Sequence, residues 1–168
     1  MLNKRINQLK YKIASTSLNS PMTIALNLAQ IAAESGEVPV GAVIINKSGQ
    51  LIARAHNQVE SPPDPVGHAE ILALRAAAKI IGSPRLMQCD LIVTLEPCAM
   101  CAQAIAHARI RRLIFGAYNQ NNGGVEHGAR IFNQLSCHHQ PEVIGGVEET
   151  AASCLLKAFF ITRRQNNN

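Results

Sequence analysis

His68-Ala69-Glu70 and Pro97-Cys98-Ala99-Met100-Cys101 lie far apart in the chain, yet both carry side chains able to hold one metal ion. Any fold that uses both must bring two separate helix starts to a single point. Cys98 and Cys101, three residues apart, project from one face of a first helical turn, so both sulfurs can reach the same ion. Residues 90–96 read as a buried strand. Pro97 suits the opening of the helix that follows, where its missing N–H has no partner to lose. His68 likewise opens an apolar helix predicted over Ala69–Ile81. Ile71, Leu72, Leu74 and Ala78 are its expected buried positions and Gly82 its stop. A helix start favours thiolate over thiol, as does a bound cation, so both cysteines are expected to be deprotonated ligands.

One histidine and two cysteines leave a tetrahedral ion with an open position, whereas structural zinc sites are normally closed by four protein ligands. The set therefore predicts one zinc ion per chain carrying a water or hydroxide, whose pKa the metal lowers toward ~7. Glu70, two residues from a ligand and outside the ligand set, is the expected catalytic acid–base. It would take the proton of that water, pass it to a ring nitrogen and later to departing ammonia. A lone C-x-x-C is as readily half a structural zinc site or a redox pair, and a lone His-x-Glu arises by chance. The two halves together, each at a helix start, favour a hydrolytic centre. H-x-E…P-C-x-x-C is also the established signature of zinc-dependent nucleobase deaminases, tRNA adenosine deaminase among them, so the reaction class is recognised rather than deduced.

At 168 residues and 47% apolar the chain is expected to form one domain with a substantial core, over residues 21–164. Residues 1–20 are basic, free of acids and serine-containing. This composition is shared with organellar transit peptides but reads more simply as a poorly ordered extension. Residues 165–168 are expected to be a frayed tail. The formal charge of +5 says little about partners, because Lys4, Arg5, Lys10 and Lys12 in that extension supply all but one unit of it. The lack of tryptophan and the 4% aromatic content argue against an extensive base-stacking platform. Five cysteines without a visible secretory signal point to a reducing, cytoplasmic location, and no run reaches the ~18 apolar residues of a membrane span. Cys154 reads as a small core residue on a helix and Cys89 as the start of the buried strand. Cys137-His138-His139 is too crowded for a second metal site and is expected to be exposed and polar.

A first helix from Met22 is expected to bury Ile24, Leu28, Ile31 and Ala32 and to stop near Gly36. Residues 40–46 and 50–56 flank Lys47-Ser48-Gly49 as a hairpin. A proline-rich connection leads to the His68 helix, and beyond the Cys98 helix come a strand at 113–117 and a loop rich in Asn and Gly. A short apolar segment at 129–135, a strand at 142–147 and a last helix to Arg164 complete the order. Strands and helices alternating after a hairpin predict an α/β fold, a mixed sheet with helices on both faces.

Three stretches carry a family resemblance: Glu37-Val38-Pro39-Val40-Gly41-Ala42-Val43, Val93-Thr94-Leu95-Glu96-Pro97-Cys98-Ala99-Met100-Cys101, and Ala108-Arg109-Ile110-Arg111-Arg112-Leu113-Ile114-Phe115-Gly116-Ala117. With Phe159-Phe160 and Arg163-Arg164 near the end, the chain resembles bacterial TadA-type tRNA adenosine deaminases from about residue 22 to 164. The resemblance implies a cytidine-deaminase-like three-layer α/β/α sandwich with a five-stranded mixed sheet, a homodimer, and conversion of adenosine to inosine at the wobble position of a tRNA anticodon loop. It implies His68, Cys98 and Cys101 as zinc ligands, Glu70 as proton shuttle, Asn57 as a purine contact, and Pro39 and Val40 as the apolar wall of the pocket. From pattern alone Asn57 reads equally as the turn residue that closes the hairpin. Phe159 and Phe160 are candidates to stack on the anticodon loop, although a core role for at least one ring fits as well. Arg109, Arg111, Arg112, Arg163 and Arg164 are the available cations, with Arg164 the candidate substrate contact.

Two departures separate the chain from the pattern. Val66-Gly67 precede His68 where relatives carry T-A, a glycine expected to loosen the start of the helix or widen the space beside the metal. Asn119-Gln120-Asn121-Asn122 replace D-P-K-G and remove a lysine expected to meet RNA phosphate. That loss keeps open a deaminase of a free base or nucleoside, of the guanine or cytosine type. A third reading, a non-catalytic zinc-stabilised RNA-binding subunit, has no use for Glu70.

Overall fold

A computed structural model describes residues 20–166, with the side chain of Asn166 excepted. The expectation for the basic extension lies outside the described residues, apart from Ser20. That residue caps helix α1 (Pro21–Glu34): its hydroxyl accepts the N–H of Thr23 at 3.2 Å, and Pro21 takes the first helical position. There follow β1 (Gly41–Asn46), β2 (Leu51–His56), α2 (Ala69–Ile81), β3 (Cys89–Leu95), α3 (Ala99–His107) and β4 (Arg112–Ala117). A 3₁₀ turn (Ile131–Asn133), β5 (Glu142–Ile144) and α4 (Glu149–Asn166) complete the chain.

The five strands form one mixed sheet in the order β2-β1-β3-β4-β5. β1 is antiparallel to both β2 and β3, while β3, β4 and β5 run parallel. Successive side chains point to opposite faces. Ala42, Ile44, Leu91, Val93, Leu113 and Phe115 therefore pack with α2 and α3, and Val43 and Ile92 pack with α1. α4 covers the same face as α1. The architecture is the expected α/β/α sandwich.

Large apolar residues in the helices sit differently from the periodicity reading. α1 buries Met22, Ala25, Leu28, Ala29 and Ala32 but leaves Ile31 46% exposed. α2 buries Ala69, Ala73, Leu74 and Ala77, with Ile71, Leu72 and Ala78 only half-buried at its flanks. The cause is close approach of helix to sheet. At α1 a Cβ on Gly41 would lie 2.0 Å from the Ala25 carbonyl oxygen, so Ala25 and Ala29 meet β1 directly with Met22 and Leu28 buried beside them, while Ile31 is left toward solvent. Cys154 is exposed rather than core, because α4 turns Ala152 inward instead. β5 ends at Ile144, short of the expected 147. Gly145 presses on the Phe115 ring and Gly146 adopts φ 79°, which turns the chain out of the sheet before α4.

Candidate active site

Strand register gathers the site at one end of the sheet. Gly41 pairs with His56, Ala42 with Val93, and Leu95 with Ala117. The residues just before β1 and just after β2, β3 and β4 therefore share that end. These are Pro39 and Val40, Asn57, residues 96–98, and residues 118–119. α2 and α3 begin there too, in the crevice at the carboxyl ends of parallel strands where open α/β sheets bind ligands.

His68 and Cys98 occupy the residue before the first turn of α2 and α3, and Cys101 lies one turn into α3, fully buried. His68 Nδ1 lies 3.5 Å from Cys101 Sγ and 3.7 Å from Cys98 Sγ. Tetrahedral zinc with ordinary Zn–S and Zn–N bonds separates such sulfur and nitrogen donors by about 3.6 Å, so the three atoms already fit the ion. Among the described residues this is the one cluster of His, Cys, Asp or Glu with metal-ligand geometry. The Cys101 thiol, by donating to Cys98, pulls that neighbour down to about 4, while Cys98 pushes Cys101 up. A cation between them ends this competition, since a coordinating thiol is deprotonated outright.

Glu70 is buried beside the same three side chains. Burial pushes its carboxyl up to about 7. A buried carboxyl thus lies next to the three donor side chains without belonging to their cluster.

Asn57 is buried, and its Oδ1 accepts the N–H of Ala69 at 2.9 Å. It closes the hairpin and caps the helix that carries Glu70, satisfying one of the orphan donors of that helix start. Among the described residues its side-chain nitrogen makes no hydrogen bond. Val40, whose carbonyl accepts the Asn57 N–H at 3.0 Å, and Pro39 are both buried next to it. Gly67 does not widen the site. A Cβ there would meet the Gln58 carbonyl oxygen at 2.1 Å, so glycine permits the close approach by which Gln58 donates to Gly67 at 2.9 Å.

Two further buried carboxylates, Glu96 and Glu37, anchor the neighbouring loops. Glu96 accepts backbone N–H groups from Asn119, Val125, Glu126 and His127, and the His127 imidazole at 2.8 Å. Burial alone would raise its carboxyl, but these donors outweigh it and hold Glu96 below the ordinary carboxylate range. The loop so anchored lies against the first turn of α3, where Gly124 donates to the Pro97 carbonyl at 2.8 Å and Gly123 bridges to Cys98. Glu37 accepts the N–H groups of Val59, Glu60 and Ser61 and fixes the proline-rich connection. The signal for Glu96 was an acid at the end of an apolar strand, which burial makes costly unless several donors converge on it; Glu37, preceded by Glu34-Ser35-Gly36, carried no such signal.

The other candidates are carried elsewhere. Phe159 is half-buried and Phe160 is 44% exposed, their rings edge to face at 5.5 Å near the end of α4. Arg163 lies over Phe159 and donates to the Gly36 carbonyl at 2.6 Å, while Arg164 is exposed. Arg111 is paired with Asp90 and Arg112 with Glu142. Cys137 and His139 are half-buried rather than exposed, because both donate to backbone carbonyls, Cys137 to His139 and His139 to Ile110.

Residues 15–117 match the cytidine and deoxycytidylate deaminase zinc-binding region. The tRNA-specific adenosine deaminase of Rickettsia bellii (strain RML369-C) is 45% identical over 83% of this chain and 97% of its own length. That of Agrobacterium fabrum (strain C58 / ATCC 33970) is 46% identical over 85% and 93%. The chain belongs to the tRNA-specific adenosine deaminase family. A solved chain from work on A-to-I editing by tRNA:A34 deaminases at the wobble position superposes with a TM-score of 0.79. It is 46% identical, covering 81% of this chain and 98% of that one. The fold of the family extends to the guanine deaminase of Nitrosomonas europaea, at 25% identity, with a TM-score of 0.72 over 84% of this chain and 85% of that one. Among the described residues no helix is long and apolar enough to cross a membrane.

Proposed function

We propose that this family member is a zinc-dependent hydrolase that converts adenosine to inosine at the wobble position of a tRNA anticodon, acting as a cytoplasmic homodimer. The observation that carries the reading is the set of three donors spaced for one tetrahedral ion with a buried, unligated carboxylate beside them. His68, Cys98 and Cys101 would hold the zinc. When bound, zinc supplies water of lowered pKa for attack on the amino-bearing ring carbon.

The side chains of the chain do the rest. Glu70 takes a proton from the attacking water, delivers it to the ring nitrogen, and returns a proton to the amino group as the C–N bond breaks. One C–O bond forms, one water is consumed and one ammonia leaves. Asn57, fixed by its bond to Ala69, has its side-chain N–H₂ left to meet the purine, with Pro39 and Val40 as the apolar wall. Phe159, Phe160 and Arg164 are the proposed contacts to the unstacked anticodon loop, which proteins read by stacking and edge contacts.

The test is inosine formation in total tRNA and in an anticodon stem-loop, run beside ammonia release from free adenosine, guanine and cytosine. Inosine at the wobble position with idle free bases supports the proposal. Turnover of free bases alone overturns the RNA substrate while leaving the deaminase chemistry in place.

A further inference from the structure

At the end of the sheet opposite the metal group, a cavity of about 240 Å³ opens beside the residues that precede the parallel strands. Arg85 comes to it from ahead of β3, His107 and Arg109 from the end of α3, and Ser136, His138 and His139 from ahead of β5. No carboxylate lines it. Asp90 and Glu142, the acids at the starts of β3 and β5, are held by other arginines. Arg111 grips Asp90 with two bonds of 2.8 and 2.7 Å, and Arg112 reaches Glu142 at 2.9 Å. Those acids are therefore not available to neutralise Arg85 and Arg109.

Arg109 is set in place. Its Nη1 donates to the His138 carbonyl at 2.7 Å, which leaves its remaining N–H groups for a ligand. It also occupies a left-handed backbone position, φ 58°, just past α3, where glycine is the usual residue. His139 Nε2 lies 2.6 Å from the Ile110 carbonyl, so that nitrogen is the donor and the ring is fixed. Two arginines among the lining of an acid-free hollow, together with three histidines and a serine, offer N–H and O–H donors that suit the oxygens of a phosphoryl group.

We propose that this cavity is a phosphate-binding site separate from the metal group and set off from it along α3, whose nine residues span about 14 Å at the usual helical rise. Its ligand is a phosphoryl oxyanion, borne either by an RNA backbone or by a free phosphate ester. Neither the ligand nor its recognition uses the deaminase centre, so the two readings stand or fall separately.

Calorimetric titration of the zinc-loaded full chain with inorganic phosphate at low ionic strength should give saturable binding, weakened at least tenfold in Arg85→Gln/Arg109→Gly. Glycine at 109 removes the cation from a backbone position that glycine adopts without strain. Arg85→Gln and His138→Gln, both at exposed positions, keep the test decisive should the double variant fail to fold. Titration with tRNA at several salt concentrations separates the two sources. If one RNA phosphate occupies the cavity, the double variant lowers the slope of log K against log salt by about one in all. Loss of phosphate binding with an unchanged tRNA slope assigns the site to a free ester. Absence of saturable phosphate binding, or equal binding by all variants, overturns the proposal.

Discussion

Replacing Glu96 by Gln isolates the anchor of the loop that backs the metal helix. Oε1 accepts from Val125, Glu126 and His127, and Oε2 accepts from Asn119 N–H and the His127 ring. Glutamine keeps one acceptor oxygen and puts an amide, which can only donate, where the other stood. Two donors lose their partner, and each buried donor left unmet costs about 1–3 kcal/mol. The His127 side chain, 33% exposed, recovers part of its share from water. A net loss of about 2–4 kcal/mol corresponds, for a chain of this size, to a melting point lower by roughly 5–15 °C.

The pH dependence has a definite sign. Because folding holds the Glu96 carboxyl below its ordinary value, its stabilisation is complete above the unfolded carboxylate range near ~4.3 and disappears as pH falls through the folded value. Thermal denaturation of the zinc-loaded protein and of Glu96→Gln should therefore show the full difference at pH 7 and convergence well below pH 4. Equal melting points at pH 7, or a gap that persists undiminished in acid, would refute the anchoring role.

Three further outcomes are expected. Glu70→Gln should retain one zinc per chain by metal analysis while deamination falls by about 10²–10⁴-fold, and undiminished turnover would show that the proton moves by another route. Asn57→Asp keeps the acceptor for the Ala69 N–H and should keep its thermal stability while turnover of substrate drops. Asn57→Ala should in addition lose about 1–2 kcal/mol, and equal destabilisation by the two would deny Asn57 its double duty. Gly124→Ala places a Cβ 2.5 Å from Ala99 N and 2.7 Å from the Cys98 carbonyl carbon, neither of which is a flexible side-chain tip. It should weaken zinc binding in competition with a chromophoric chelator, and wild-type affinity would show that the loop does not brace the metal helix.

The local chemistry of the centre was legible because it is encoded over short spans. Three-residue spacing sets Cys98 and Cys101 on one turn, Pro97 marks where that turn begins, and His68 and Glu70 share the start of α2. Strand order was legible to the level of a mixed sheet, because short apolar runs between turn residues identify strands without assigning neighbours. The buried faces of α1 and α2 depart from the periodicity for a related reason. Periodicity weights Ile31, Ile71 and Leu72 above alanine, but the depth of a helix in the fold depends on how closely its partner sheet approaches.

By itself, then, the sequence determined the donor types, the helix starts that present them and the reaction class they suit, all properties of residues a few positions apart. Only the tertiary structure decided that Asn57 caps α2, that Glu96 gathers residues 119–127 against Cys98, and that Arg85, Arg109 and three histidines share one hollow. Those relations depend on strand register and on which buried carboxylates find donors, and they join residues between 12 and 31 positions apart or more. No spacing rule reaches across such separations, because the contacts form only when the whole sheet closes.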